Sequence, residues 1–321
     1  MNILPPLLLH YYITYRCNAR CSFCEIWRSP ANRKSPLAHP ADVFRNLRET
    51  RRMGLRFVDF TGGEPLLHPD LPAFLRKAKE LGFKTSVTTN CTLYPQRAQE
   101  LAGLVDFLHF SLDAATAAEH DSIRGKKSFA RVMQSLEMAR DIGEKPDILY
   151  TVTDRNIDSL EPLAHLARGL GLILIVNPVF SHHQKWELDV ALLDEIERFR
   201  HHPNVYINTA FHRLRRQGGN SRHKPRCRVV SSTIVISPEN QLLLPCYHFA
   251  RQKISITDSI RQIRKTEQFK YYLRNQGRFD FCQGCTLNCY FDPSFVYKID
   301  VYFWQSLLAK TKYAWQKYVK N

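Results

Sequence analysis

From the N-terminus to about residue 200 the chain alternates short apolar runs of period two with longer segments of helical period, and this rhythm constrains the fold more than any other feature. Strand-like runs fall at 8–15 (LLHYYITY), 55–60 (LRFVDF), 84–89 (KTSVTT), 105–112 (VDFLHFSL), 147–153 (DILYTVT) and 172–177 (LILIVN). Helices are expected at 40–53, 70–81, 95–102, 127–142 and 157–169, with Gly54, Gly82, Gly143 and Gly171 where C-terminal caps belong. Strands separated by helices pair in parallel, because each crossover carries a helix that covers one face of the sheet. The expected fold is therefore α/β, a partial (β/α)6 TIM-like barrel. A hydrophobic content of 44% in 321 residues is ample for its core.

The chemically unusual residues gather at one edge of this scheme. The stretch CNARCSFC (17–24) follows the first strand, TGGEP (61–65) follows the second, TNC (89–91) ends the third, SLD (111–113) ends the fourth and NP (177–178) ends the sixth. All are C-terminal strand ends, the edge where β/α barrels build their sites. Beyond a helix near 188–200 the pattern changes. STIVISPENQLLLPC (232–246) reads as a hairpin turning at Pro238 to Asn240, FCQGCTLNCYF (281–291) as a cysteine-rich loop, and the segment from Ser294 onward as a helix. The expected division is 1–205 barrel, 220–292 cysteine-rich module and 293–321 amphipathic C-terminal helix.

The nine cysteines are unevenly spaced, and with no secretory signal evident their clustering favours metal ligation in a reducing, cytoplasmic setting over a disulfide framework. The longest apolar run, LGLILIVNPVF (170–180), is too short to span a bilayer and reads as a buried strand. A net charge of +16 would attract nucleic acid, anionic lipid or an acidic peptide without choosing among them. No paired His spacing stands out; His182-His183 and His201-His202 read as loop and helix-end residues, and neither a P-loop nor a Ser-His-Asp arrangement is present.

Cys17, Cys21 and Cys24 are three thiols, one short of a tetrahedral site. A 4Fe-4S cluster held by three thiolates keeps one iron open for a substrate or cofactor. Structural zinc needs a fourth protein ligand that nothing nearby is spaced to give. Three merely buried thiols fit poorly with the polar Asn18, Arg20, Ser22 and Glu25 around them.

The Cys-x-x-x-Cys-x-aromatic-Cys pattern, with Phe23 as the aromatic, resembles the radical S-adenosylmethionine (radical SAM) superfamily. The resemblance implies that S-adenosylmethionine chelates the open iron through its amino and carboxylate groups. It also implies that one-electron cleavage gives methionine and a 5'-deoxyadenosyl radical that abstracts hydrogen from an unactivated carbon. Cys17, Cys21 and Cys24 are then the catalytic cluster ligands. In GGEP, Gly62 and Gly63 would let the backbone approach the ligand and Glu64 would accept from its ammonium group. Along HFSLDAATAAEHDSIRG, Ser111 and Asp113 would lie near the ribose or methionine moiety and Arg124 would pair with the carboxylate. Thr89, Asn90 and Asn177 are further polar candidates. Cys91 stands where the family often has Gly, and an isolated thiol reads as a small buried hydrophobe.

The second group, Cys227, Cys246, Cys282, Cys285 and Cys289, resembles the SPASM and twitch auxiliary-cluster modules of that superfamily, with thiols for one further 4Fe-4S cluster. The expected ligands are Cys227, Cys246, Cys282 and Cys285, with Cys289 as a replacement or a spare; a zinc ribbon is the alternative. Asn240 occupies the turn position where the long form usually has Gly. In the family such a cluster relays an electron during modification of a peptide or small molecule, and a reducing partner such as flavodoxin or ferredoxin is implied.

The tail places Phe295, Ile299, Phe303 and Leu307 at spacings of four, which reads as a stripe packing on the barrel. Trp304, Trp315, Tyr313 and Tyr318 beside Lys310, Lys312, Lys317 and Lys320 offer a second reading, a helix at the inner membrane surface with a lipid or polyprenyl substrate. The expected function is radical SAM hydrogen abstraction from a peptide or small metabolite, leading to oxidation or bond formation. A non-catalytic iron-sulfur or zinc protein binding nucleic acid is the reading from another class. No specific nucleic acid partner is predicted, and intact GGEP and SLD segments argue against a mere scaffold.

Overall fold

The computed structural model describes residues 5–180, 189–257 and 259–320. His182 and His183 lie outside the described residues; His201 ends a short 3-10 turn. The six expected strands form as β1 (Leu8–Thr14), β2 (Phe57–Gly62), β3 (Lys84–Thr89), β4 (Phe107–Ser111), β5 (Asp147–Val152) and β6 (Leu174–Pro178). A two-residue β7 (Val205–Tyr206) follows, then the expected hairpin as β8 (Thr233–Ile236) and β9 (Gln241–Leu244), and β10 (Gln252–Ser255). All lie in one open sheet of order β10-β9-β8-β1-β2-β3-β4-β5-β6-β7. β8 pairs in parallel with β1, Leu9 opposite Ile234, so the hairpin extends the barrel sheet; β9 and β10 are antiparallel additions.

Helices Pro40–Arg52, Leu71–Glu80, Tyr94–Leu101, Phe129–Asp141 and Leu160–Gly169 match expectation within a few residues. Ala117–Arg124 is a helix that its weak apolar period did not announce; the Thr116 hydroxyl caps its start and Gly125, at φ 60°, ends it.

Strand alternation separates two environments. Leu9, Tyr11, Ile13, Val58 and Phe60 are fully buried beneath the helices, where Phe60 meets Phe74 at 6.1 Å and the Tyr11 hydroxyl accepts from Asn46 at 3.0 Å. Each such apolar side chain contributes roughly 1.5–3 kcal/mol of transfer free energy. The other face, the barrel lumen, carries His10, Tyr12, Asp59, Thr61, Ser86, Thr88 and His109, and most of these stay partly accessible. Asn240 adopts φ 57°, the left-handed conformation that favours glycine. Its amide also accepts from Asn46 at 2.8 Å and donates to the Ile256 carbonyl at 2.8 Å, which ties the hairpin to a barrel helix.

The tail corrects the expected stripe. Asp300 caps a new helix, Val301–Trp315, by accepting from the amides of Tyr302 and Phe303, so residues 295 and 299 precede it. Its inward face is Tyr302 and Ser306, whereas Ile299 is 75% exposed. Of the four lysines invoked for lipid, three are engaged within the protein, and the Lys320 side chain lies outside the described residues. Lys312 donates to the carbonyls of Arg200, His202 and Val205, Lys310 pairs with Asp292 at 2.9 Å, and Lys317 pairs at 2.7 Å with Asp147, which also accepts from Tyr313. Trp304, Leu308, Trp315 and Tyr318 face outward. Among the described residues no helix is long and apolar enough to cross a membrane.

Asp147 is fully buried, so Lys317→Met would leave an uncompensated carboxylate beneath the tail. The variant is expected to lose about 3 kcal/mol of unfolding free energy, read from urea denaturation; a loss below about 0.5 kcal/mol would show that the pair does not hold the tail.

Candidate active site

The carboxyl edge is assembled around a backbone contact. Gly63 and Glu64 donate their amide hydrogens to the carbonyls of Thr14 and Arg16, each at 2.9 Å. A Cβ on Gly62 would lie 1.8 Å from the Thr14 oxygen, and one on Gly63 2.2 Å from the Arg16 oxygen. The glycines thus make room for the chain entering the cysteine loop. Glu64, 2% exposed, accepts from Leu66 N, Thr89 Oγ1 and Asn90 N. Asn90 in turn donates to Asn18 at 2.7 Å, so the end of β3 braces both Glu64 and the cysteine loop.

The loop itself is held from several sides. Trp27 Nε1 donates to the Cys21 carbonyl at 2.9 Å and Arg28 to the carbonyls of Ser22 and Cys24. Arg20 N and Ser22 N donate to the carbonyls of Arg124 and Ile123. Cys17 Sγ accepts from Ala19 N at 3.4 Å. Burial pushes the Cys17 thiol up to about 12, aided by the nearby Glu64, Cys21 and Cys24; burial and Cys21 raise Cys24. Such thiols stay protonated until a metal takes the proton's place.

Arg124 and Asp113 are paired with each other. Asp113 is fully buried; it accepts from Thr151 N at 2.9 Å and pairs with Arg124 Nε at 2.6 Å. It is closed off from solvent beside Arg124. The guanidinium reaches Cys21 Sγ at 3.5 Å and lies over the Phe23 ring at 5.7 Å. Burial works against its charge, but Asp113 and Cys21 hold it firmly cationic. His120, unread in sequence, accepts from Asp113 N at 3.2 Å. Ser111 and Asn177 lie on the lumen-facing register of β4 and β6. Cys91 is fully buried at φ 64°, the backbone region glycine would favour.

Cys227, Cys246, Cys282 and Cys285 line one cavity with Pro245, Phe249 and Phe281. Cys289 lies outside that lining but close to it: burial raises its thiol, and Cys285 and then Asp59 add to the rise. Asn220, another residue the sequence did not flag, donates to the carbonyls of Gly277 and Cys282 and accepts from Arg226 N and Cys227 N. Among the described residues no three His, Cys, Asp or Glu side chains are gathered to hold a single metal ion. Sequence reading also passed over a lumen cluster in which His10 Nε2 meets Asp59 at 3.0 Å and Tyr12 stacks on Tyr247 at 4.2 Å. A histidine at position 10 within an otherwise apolar and aromatic strand was the available signal.

Two outcomes are expected. Gly63→Ala should cost about 2–3 kcal/mol in urea unfolding by forcing β2 from the cysteine loop; wild-type stability would mean that the loop yields freely. Burial lowers the His120 pKa to about 4, so the folded protein keeps it neutral while the unfolded chain protonates near 6.5. Stability is then fully present above 6.5 and falls by about 2–3 kcal/mol as pH drops towards 4. The His120→Gln variant should lose that slope.

The sequence model of the Radical SAM superfamily matches residues 11–167. The probable GTP 3',8-cyclase of Saccharolobus solfataricus is 32% identical over 168 residues, 51% of this chain and 54% of that protein. That of Sulfurisphaera tokodaii is 28% identical over 219 residues, 62% and 69% of the two chains. The chain thus spans little more than half the length of the first of these relatives. Among solved structures, Streptococcus suis SuiB bound to the precursor peptide SuiA superposes with a TM-score of 0.69 at 20% identity, covering 93% of this chain and 75% of that one. Native anSMEcpe with bound AdoMet gives 0.61 at 16% identity, covering 98% and 99%. These two share the fold. Residues 11–167, which carry the cysteine triplet, the Gly-Gly-Glu segment and Arg124, belong to the Radical SAM superfamily.

Proposed function

We propose that the protein is a radical SAM enzyme that abstracts hydrogen from an unactivated carbon of a peptide or small polar metabolite, with a second, auxiliary 4Fe-4S cluster in its C-terminal module. The reading rests on one observation: Cys17, Cys21 and Cys24 lie on one loop at the carboxyl edge, near a cationic Arg124 and the buried carboxylate of Glu64. Three thiolates and one neighbouring guanidinium suit a cluster with an open iron better than a closed zinc site. When bound, the cluster and S-adenosylmethionine supply reductive cleavage to methionine and a hydrogen-abstracting 5'-deoxyadenosyl radical. The chain's part is to orient and insulate. Arg124 offsets thiolate charge at Cys21, Phe23 and Asn90 wall the loop, Glu64 offers its remaining lone pair to an ammonium group, and Ser111 and Asn177 line the route into the barrel.

The polar lumen supports the substrate class. His10, Asp59, Thr61, Ser86, Thr88 and His109 offer hydrogen bonds that a polyprenyl chain would leave unmet. The named relatives are probable GTP 3',8-cyclases and SuiB holds a peptide, both polar ligands. For the auxiliary group the support is the cavity shared by Cys227, Cys246, Cys282 and Cys285, with Cys289 as the spare.

Anaerobic reconstitution followed by dithionite and S-adenosylmethionine should yield 5'-deoxyadenosine, and Cys21→Ala should abolish it. Absence of product from the iron-loaded wild type would sink the reading. About eight irons per chain are expected; about four irons with one zinc would assign the second group to a ribbon.

A further inference from the structure

We propose that the aromatic surface running from Phe281 to Tyr271 is the docking site of an acidic one-electron carrier protein, which exchanges an electron with the group held by the second set of cysteines. The inference rests on the auxiliary-cluster reading above and adds where its electron enters.

Phe249 and Phe281 form part of the wall of the cavity lined by the four thiols. From that wall a run of rings continues outward. Phe249 stacks on Phe281 at 4.8 Å, Phe281 on Phe279 at 5.2 Å and 8°, Phe279 meets Tyr272 at 5.5 Å, and Tyr272 meets Tyr271 at 5.4 Å. These rings come from three separate segments: the residues after β9, the cysteine-rich loop and the helix Glu267–Asn275. A run assembled only to fill a core would be covered. Here Phe249, Phe279, Phe281 and Tyr272 remain partly accessible and Tyr271 is 51% exposed. Contiguous ring contacts leave few through-space gaps between the surface and the thiol cavity, and tunnelling falls steeply with each gap.

The charge around the run selects the partner. Arg251 lies over the Phe281 ring at 5.3 Å. Arg222, Lys270, Arg274 and Arg278 stand nearby, and the carboxylates among them are Asp280, paired with Arg222, and Glu267, paired with Lys270 and Arg274. Cations outnumber carboxylates, so an acidic protein is steered to this face. Nucleic acid also favours basic and aromatic surfaces, but it needs successive exposed rings as stacking platforms. Here one ring is largely exposed and the others lead inward to the cysteines. In the step, reduced carrier loses one electron and the auxiliary group gains it; no bond forms or breaks.

The test uses the reconstituted full-length chain and a reduced plant-type ferredoxin as probe, in a Cys17→Ala, Cys21→Ala, Cys24→Ala background so that absorbance reports only the second group. Arg251→Glu with Arg274→Glu should lower the second-order reduction rate roughly tenfold at low salt and flatten its salt dependence, while photoreduction by neutral deazaflavin stays unchanged. Glu267→Gln should raise the ferredoxin rate, and Tyr271→Ala should lower it with little change in salt slope. Unaltered ferredoxin rates with iron present would overturn the docking proposal alone. Zinc in place of iron would overturn the auxiliary-cluster reading and this inference with it. Binding of a single-stranded RNA oligonucleotide that is lost in Tyr271→Ala, with ferredoxin rates unchanged, would assign the face to nucleic acid instead.

Discussion

Two backbone hydrogen bonds, from Gly63 to Thr14 and from Glu64 to Arg16, fix how close the end of β2 lies to the start of the cysteine loop. The contact exists only because neither Gly62 nor Gly63 carries a Cβ. Everything at the carboxyl edge is referenced to it. It sets Glu64 where three donors converge, and two of those donors belong to Thr89 and Asn90 at the end of β3. Asn90 closes the circuit by reaching Asn18 in the cysteine loop. Three strand ends thereby share one hydrogen-bonded frame, and a shift in any of them moves the thiols.

Arg124 is the electrostatic counterpart of that frame. A guanidinium buried to this degree needs compensation, and Asp113 supplies it at 2.6 Å. Asp113 is in turn oriented by Thr151 N, by His120 beneath its own amide and by Asn156, which donates to its carbonyl. So many constraints on one buried acidic residue are costly if the purpose is stability alone, since an apolar pair would serve as well. They make sense if a fixed positive charge is wanted beside Cys21 Sγ, where thiolates would otherwise repel one another.

The legible part of this molecule was the part written in local periodicity and residue type. Period two placed β1 to β6, and it set the cysteines and the Gly-Gly-Glu segment at one edge of the sheet before any contact was known. What stayed hidden depended on partners distant in sequence. β8 pairs with β1 across more than two hundred residues, and nothing in either segment names the other. Asp113 and Arg124 were both singled out, yet nothing in either segment announced that they pair with each other. The tail misled for a local reason: the spacing of four from Phe295 to Leu307 ignored Asp300, whose side chain restarts the helix and rotates the apolar stripe outward.

That tail also bears on which end of the barrel is covered. Tyr313 and Lys317 bind Asp147, the first residue of β5, and Lys312 caps carbonyls at the entry to β7. The helix therefore closes the amino edge of the sheet, while the cysteine loop and Arg124 stand at the carboxyl edge. A strand of six residues such as β5 separates the two edges by about 20 Å. A membrane met through Trp304, Leu308 and Trp315 would face the closed end of the barrel, and a lipid drawn from it would have to travel around the molecule to meet the thiols. The tail helix therefore packs across the amino end of the sheet, and its exposed aromatic residues stand away from the cysteine loop.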